Sequence, residues 1–510
     1  MINKKLIKAG FLFFFLLAFQ LDYAQYSWKS LSKRPSTLGL EQGTISLETP
    51  SFHLKLVKAS QTVAALQPKS APGFDFTPGD SLQVRSGNGL YQLGDLDIRL
   101  RTGNAVEWKQ FSTAANRMQV QALKVSGHVL AAADLAATLP ADIPLQIKRY
   151  WELQNGKLVL RFELINKSAQ EVEIGALGIP MIFNNILRGT LDQVHANNVF
   201  YDPYTGLDAG YLQVTRLNGH APSMLVVPYG KTPFEAYNPL LHDPTPRGAD
   251  FEGFYEWMVY SKAYAENEWK NADEWNAPTS TILKPGESRS YGVQFIISGT
   301  PKDIENTLEE NDRPVAVGIP GYVLPQDVNA KLFLKYKSNV RSITAQPKGS
   351  LVVKKSGLSA NDGWKSYEIK GRSWGRSRLT ITYQNGLVQT IQYKVIKPES
   401  NTVADLGNFL TTKQWFEKDD DPFHRSPSVI SYDDEKKAQV TQDNRAWIAG
   451  LSDEGGAGSW LAATMKQLVE PDKAQVDKLQ RFIDTTVWGH LQYSEGIHKY
   501  GVRKSLFYYE

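Results

Sequence analysis

Residues 147–166 read IKRYWELQNGKLVLRFELIN, with Asn155-Gly156 between two runs of alternating character. Asn-Gly supplies the two positive φ angles that a type I′ turn requires, so the runs read as an antiparallel hairpin, Ile147–Gln154 against Lys157–Asn166. Past the turn, Leu158, Leu160, Phe162 and Leu164 point one way, and Lys157, Val159, Arg161 and Glu163 point the other. A period of two with one apolar side is that of a sheet with one buried face and one wetter face.

Working outward, Val172–Phe183 and Ser290–Ile297 read as further strands, the latter after the turn Lys284–Glu287, and Asn88-Gly89 marks another turn. Residues 25–300 are therefore expected to form one large β domain of two packed antiparallel sheets, a supersandwich, because about 275 residues is too much for one small sandwich. Residues 301–325 carry Pro301, Pro314, Pro320 and Pro325 and read as a linker. Residues 326–398 read as a small immunoglobulin-like β-sandwich, with a hairpin at Arg378–Gln384, Asn385-Gly386 and Leu387–Ile396. From 399 the period turns helical. Ser459–Val469 stops at Pro471, Asp472 is placed to cap a second helix, and Val476, Leu479, Phe482, Ile483 and Val487 share a helical face. One αα-hairpin buries its own apolar faces poorly, so partners are expected, either the β domains or helices beyond residue 510.

The N-terminus reads as an export signal. Lys4, Lys5 and Lys8 precede the apolar run Ala9–Phe19, whose 11 residues are too few to span a bilayer. Cleavage after Ala24 removes three lysines and one aspartate and takes the net charge from +4 to +2. A nearly neutral chain gives no reason to expect nucleic acid or an anionic membrane as partner, and no later segment is long and apolar enough to anchor it. The expected location is periplasmic or extracellular. With no cysteine in 510 residues, disulfides, thiolate metal sites and a cysteine nucleophile are excluded. Phosphate loops, dinucleotide fingerprints and the Gly-x-Ser-x-Gly elbow are absent, so no cofactor or metal is expected.

Four stretches hold candidate chemistry. Asp453 and Glu454, in Ser452–Gly456 ahead of a helix, are placed to act as acid and base on a glycosidic bond. The plainer reading is two acids complementing a helix N-terminus. Around them lie Trp415, Phe423, His424, Arg425, Trp447, Trp460 and Trp488, of which His424, Arg425, Trp447 and Trp460 are the candidate sugar contacts. Flat rings stack on sugar C–H faces and charged groups bond the hydroxyl rim, although tryptophans are also ordinary core residues. Phe251–Trp275 holds eight aromatics, among them the candidate sugar platforms Trp257 and Trp269, and reads equally as a loop reaching a glycan or as a packing surface. Last come Trp488, His490, Tyr493, Glu495, His498 and Tyr500, where His and Tyr suit the base and acid of an eliminative lyase. Asp419–Asp421 lacks the spacing of a calcium loop and reads as solvated.

The stretches Phe423–Val429, Trp447–Gly458 and Tyr500–Phe507 resemble a family of secreted bacterial proteins of poorly defined function, Bacteroidetes-like in their signal peptides. That family pairs an N-terminal β-sandwich region with a C-terminal domain similar to six-hairpin (α/α)6 glycosidases. The resemblance implies that residues 399–510 are the opening helices of such a toroid, and that the chain is the front of a carbohydrate-active protein. A glycoside hydrolase using Asp453 and Glu454 is the first expectation. The rivals are a polysaccharide lyase of the same architecture and a non-catalytic glycan-binding or cell-surface module.

Overall fold

The computed structural model describes residues 27–248, 251–356, 363–441, 457–503 and 506. The hairpin is there, in register Ile147↔Leu164, Trp151↔Leu160 and Gln154↔Lys157, turning on Asn155 (φ 50°) and Gly156 (φ 77°). It is the centre of an eight-stranded sheet. On one side lie Ser288–Ser298, Ser223–Tyr229, Tyr211–Arg216 and Val199–Tyr204; on the other, Val129–Asp134 and Gln121–Ala122. A second sheet runs Ala236–Pro239, Tyr255–Tyr260, Val172–Met181, Asp97–Thr102 and Lys109–Ser112, with Thr281–Leu283 also on Val172–Met181. The inner faces share one core, in which Leu158, Leu160, Phe162 and Leu164 meet Ile174, Ile179, Trp257 and Val293. Trp151 is fully buried there, its Nε1 donating to Gln61 O (3.0 Å).

Val159, on the face expected to be wet, is also buried. The stretch 301–325, expected as a linker, explains why that face is not open. Pro301–Asp303 and Ile304–Glu310 are helical, and Ile304 and Leu308 pack on Leu225, Val227 and Ile296 of the eight-stranded sheet's outer face. Val315–Ile319 and Val323–Pro325 are already strands of the smaller β unit. The prolines of this stretch stand at helix starts and strand ends, where a missing N–H costs nothing.

That smaller unit has two four-stranded sheets. One runs Val315–Ile319, Asn329–Lys335, Lys365–Gly371, Leu351–Lys355; the other runs Val323–Pro325, Val388–Ile396, Gly375–Tyr383, Val340–Gln346. Leu332, Ile369, Leu379, Ile381, Tyr393 and Val395 fill the space between them. The protein is thus mainly β and multidomain, as its sequence implied.

A hydrogen-bonded seam joins the two β units. Asn276 is buried, and its Nδ2 donates to Thr205 O and Glu235 O (both 2.8 Å) while its Oδ1 accepts from Thr390 Oγ1 (2.7 Å). Beside it Tyr204 Oη donates to Thr390 O (2.8 Å), and Asp208 accepts from Val388 N (3.0 Å).

Beyond residue 398 the helices Glu399–Thr412, Ala457–Lys466 and Lys473–Arg481 gather around Leu410, Val429, Ala463 and Leu479. Asp472 caps the third, accepting from Gln475 N. Leu479 and Phe482 are buried as expected, but Val476 is exposed, with Leu461, Met465, Leu468 and Val469. Among the described residues no helix is long and apolar enough to cross a membrane.

Asn276→Ala removes an amide that bonds three segments of the seam at once and strands buried backbone carbonyls, at about 1–3 kcal/mol. Calorimetry of the variant is expected to resolve a separate, lower transition for the smaller β unit; a single unchanged transition counts against the seam.

Candidate functional site

Chemistry-bearing side chains gather where the helical region begins. Trp415–Phe416 pairs antiparallel with Ser428–Val429, and the loop between them folds back on itself. Arg425 is buried and grips Asp421 through Nη2–Oδ1 (2.8 Å) and Nε–Oδ2 (3.1 Å), while its backbone N–H also donates to Oδ2 (2.8 Å). Burial is the largest influence on the Asp421 carboxyl and pushes it up, but Arg425 outweighs burial and holds it below the usual carboxylate range. Arg425 therefore fixes the loop from inside. It is not placed to bond a sugar's hydroxyl rim.

This grip turns the next side chain outward. His424 is exposed and held at φ 54°, a left-handed conformation that a non-glycine residue adopts rarely and that marks functional turns. Its carbonyl lies 2.7 Å from His490 Nδ1, and the two rings are 5.7 Å apart. A carbonyl only accepts, so Nδ1 carries the proton, and in the neutral ring Nε2 is left as the basic nitrogen. His490 is brought there by the segment Phe482–Val487, which continues the third helix with π geometry and places Thr486 Oγ1 on Pro427 O (2.7 Å). Such π turns recur at functional sites because they shift a side chain out of helical phase.

The chain then doubles back, Tyr493 N donating to Gly501 O (2.9 Å) and Tyr500 N to Tyr493 O (2.8 Å). Tyr493 lies 5.6 Å from the His498 ring, and the Arg503 guanidinium sits 4.6 Å over Tyr493. Trp488 lies against Tyr500 at 5.7 Å. Two imidazoles, a phenol and a guanidinium thus share one turn of chain. Arg503 went unassigned in the sequence. The pairing that brings it back, Gln492 against Val502, joins residues ten apart with no hairpin signal between them.

The other expected residues are scattered. Asp453, Glu454 and Trp447 lie outside the described residues. Trp460 is half-buried, edge-on to Phe482 at 5.3 Å. Trp257 is corrected from sugar platform to core: it is fully buried, stacked on Phe234 at 3.8 Å, with Nε1 on Pro233 O (3.1 Å). Trp269 stacks on Tyr264 at 5.0 Å, and Tyr264 in turn lies under the Arg99 guanidinium. Phe251–Trp275 is therefore a strand of the six-stranded sheet with core aromatics, followed by a segment that packs over the sheet's outer face through Tyr264 and Trp269.

Beneath that surface is a carboxylate pair that the sequence did not reveal. Asp97 and Glu256 project from neighbouring parts of the sheet's outer face, both buried; a Cβ at Gly178 would fall 1.8 Å from Glu256 Oε2. Burial first, then the neighbouring carboxylate, pushes Glu256 up to about 8; burial likewise pushes Asp97 up to about 7. The space around them has no room for a water, so this pair meets no substrate. Among the described residues no three His, Asp or Glu side chains come together as a metal would need.

The family model for the family of unknown function DUF5695 matches residues 55–510. The chain belongs to that family. The DUF5695 chain is also similar to a solved polysaccharide lyase, at 15% identity and a TM-score of 0.67 over 90% of this chain and 64% of that one. It therefore shares that lyase's fold and spans just under two thirds of its length. Weaker likenesses are to a putative aldose 1-epimerase from Escherichia coli K12 (TM-score 0.30, 10% identity, 50% of this chain and 99% of that one) and a galactose mutarotase-like protein from Clostridium acetobutylicum (0.34, 10%, 50% and 95%). No curated protein matches the DUF5695 chain.

Asp421→Ala leaves Arg425 buried without its carboxylate and is expected to cost about 3–5 kcal/mol, read as a lower midpoint in denaturant. Glu256 and Asp97 bind protons more tightly folded than unfolded, so the stability they contribute is full below the ordinary carboxyl range and is lost as pH rises through about 7 to 8. Glu256→Gln is expected to flatten the fall in melting temperature between pH 5 and pH 8; an unchanged slope contradicts it.

Proposed function

We propose that the chain belongs to an exported carbohydrate-active enzyme, and that it cleaves uronate-bearing polysaccharide by elimination. The single observation that carries this is His490, its Nδ1 held by the His424 carbonyl, three residues ahead of Tyr493, whose ring lies under Arg503. The fold shared with a polysaccharide lyase supports it.

In the reaction, His490 Nε2 takes the proton from C5 of the uronate. The electron pair forms the C4=C5 double bond, the C4–O bond breaks, and the Tyr493 hydroxyl gives its proton to the departing oxygen. Arg503 brings positive charge to the carboxylate as negative charge builds next to C5. No metal or organic cofactor enters these steps.

Hydrolysis by Asp453 and Glu454 is the second reading; it rests on their place in the sequence ahead of the helix Ala457–Lys466. The protein, offered a panel of uronate polysaccharides, is expected to raise the ultraviolet absorbance of unsaturated uronate. His490→Gln and Tyr493→Phe are each expected to lower that rate by about 10²–10⁴-fold. Saturated products, with turnover lost in Asp453→Asn and Glu454→Gln but kept in Tyr493→Phe, would replace elimination by hydrolysis.

A further inference from the structure

A groove runs along the seam between the two β units. It has a volume of about 1260 Å³ and is walled by Asp273–Pro278 on one side and by Thr344–Gly349 and Trp374–Arg378 on the other. Trp374 (65%) and Trp275 (53%) are the two most exposed tryptophans among the described residues, and both line it. A single exposed aromatic is unremarkable, but two large indoles on facing walls of one groove leave a costly apolar surface open to water.

The walls are held in place. The Arg376 guanidinium lies 3.9 Å over the Trp275 ring and is paired with Asp273 at 3.1 Å. The Trp275 carbonyl accepts from Arg378 Nη1 (3.0 Å) and Gln392 Nε2 (2.8 Å), and the next residue is the seam's Asn276. Trp275 and Gln392 also wall a second cavity of about 500 Å³, lined by Tyr204, Tyr211, Tyr237 and Tyr322. Tyr237 Oη is buried in that neighbourhood with no hydrogen-bond partner among the described residues. A hydroxyl in that state has a bond left to give.

We propose that this seam is a second, non-catalytic glycan-binding site, which holds several units of a polysaccharide chain with Trp275 and Trp374 as stacking platforms. The chemistry fits a sugar more closely than a peptide or a lipid. The indoles offer flat faces for C–H edges, and the guanidinium and amide groups of Arg376, Arg378, Gln346 and Gln392 in the same lining suit a rim of hydroxyls. The groove exceeds the roughly 300–1,000 Å³ of a small-molecule pocket, which points to an extended ligand. The polysaccharide class rests on the lyase reading; the site itself does not use His490, Tyr493 or Arg503.

Affinity electrophoresis of the full chain in gels cast with polygalacturonate, alginate, xylan or mannan tests this. Retardation is expected in at least one gel. Trp374→Ala should weaken it about tenfold, and Trp275→Ala with Trp374→Ala should abolish it, as expected for loss of one and two stacking platforms. Trp275→Phe, which keeps a ring, should retain part of it, and unchanged melting of Trp374→Ala separates lost binding from lost fold. His490→Gln and Tyr493→Phe should be retarded like the parent, whereas a parent protein that is retarded but releases no unsaturated uronate overturns the lyase reading and leaves this one standing. No retardation in any of the four gels, or equal retardation of the parent and the double variant, overturns the second site.

Discussion

The side chain of Asn276 fixes the arrangement of this protein. Three hydrogen bonds from one buried amide tie the loop after Trp275 to the chain around Thr205, to Glu235 and to Thr390 across the seam. Interfaces between domains are usually small and polar, and motion between them is the default. Here a fully bonded amide at the centre, with Tyr204 and Asp208 beside it, replaces loose contact with a set geometry. The groove walls inherit their spacing from it, because Arg378 and Gln392 hold the residue immediately before Asn276.

Buried polar groups play a comparable part at the two other charged places. Arg425 and Asp421 sit inside a loop whose outward product is His424, so a buried ion pair sets the backbone of an exposed residue. Asp97 and Glu256 are the reverse case. They lie buried beneath Tyr264 in space with no room for a water, and burial makes each hold its proton to a higher pH than an ordinary carboxyl. Paired carboxylates in a fold shared with a polysaccharide lyase invite a catalytic reading. Access decides against it.

Much of the β architecture was legible because its signals are local. Asn155-Gly156 sets a hairpin whose register fixes the central strands, and Asp472 places the start of the third helix, although the second ends at Lys466, three residues short of the expected Val469. What failed to show was which aromatics are inside. Trp257 and Trp275 look alike in a count, yet Trp257 alternates with Glu256 and Met258 on a strand of the six-stranded sheet and faces the shared core, while Trp275 lies on a loop past the helix Lys262–Ala265. Val159 read as wet because the helix Ile304–Glu310, 145 residues later, was taken for a connector. The His490–Tyr493–Arg503 grouping was half visible. The His and Tyr stood out by type, whereas Arg503 joined them only through a turn that carries no sequence mark.

One further consequence belongs to the outermost strand of the eight-stranded sheet, Val199–Tyr204. A sheet margin left bare offers its amides and carbonyls to any passing chain, and such margins seed self-association. Here the polypeptide just past that strand is occupied: Asp208 N donates to Val388 O (3.1 Å) and Thr390 N to Gly206 O (3.3 Å). The start of the strand Val388–Ile396 thus takes up the backbone at Gly206 and Asp208, where that margin ends. A strand that pairs along this margin must therefore stop short of Gly206, so the seam limits how far the platform can be extended on that side.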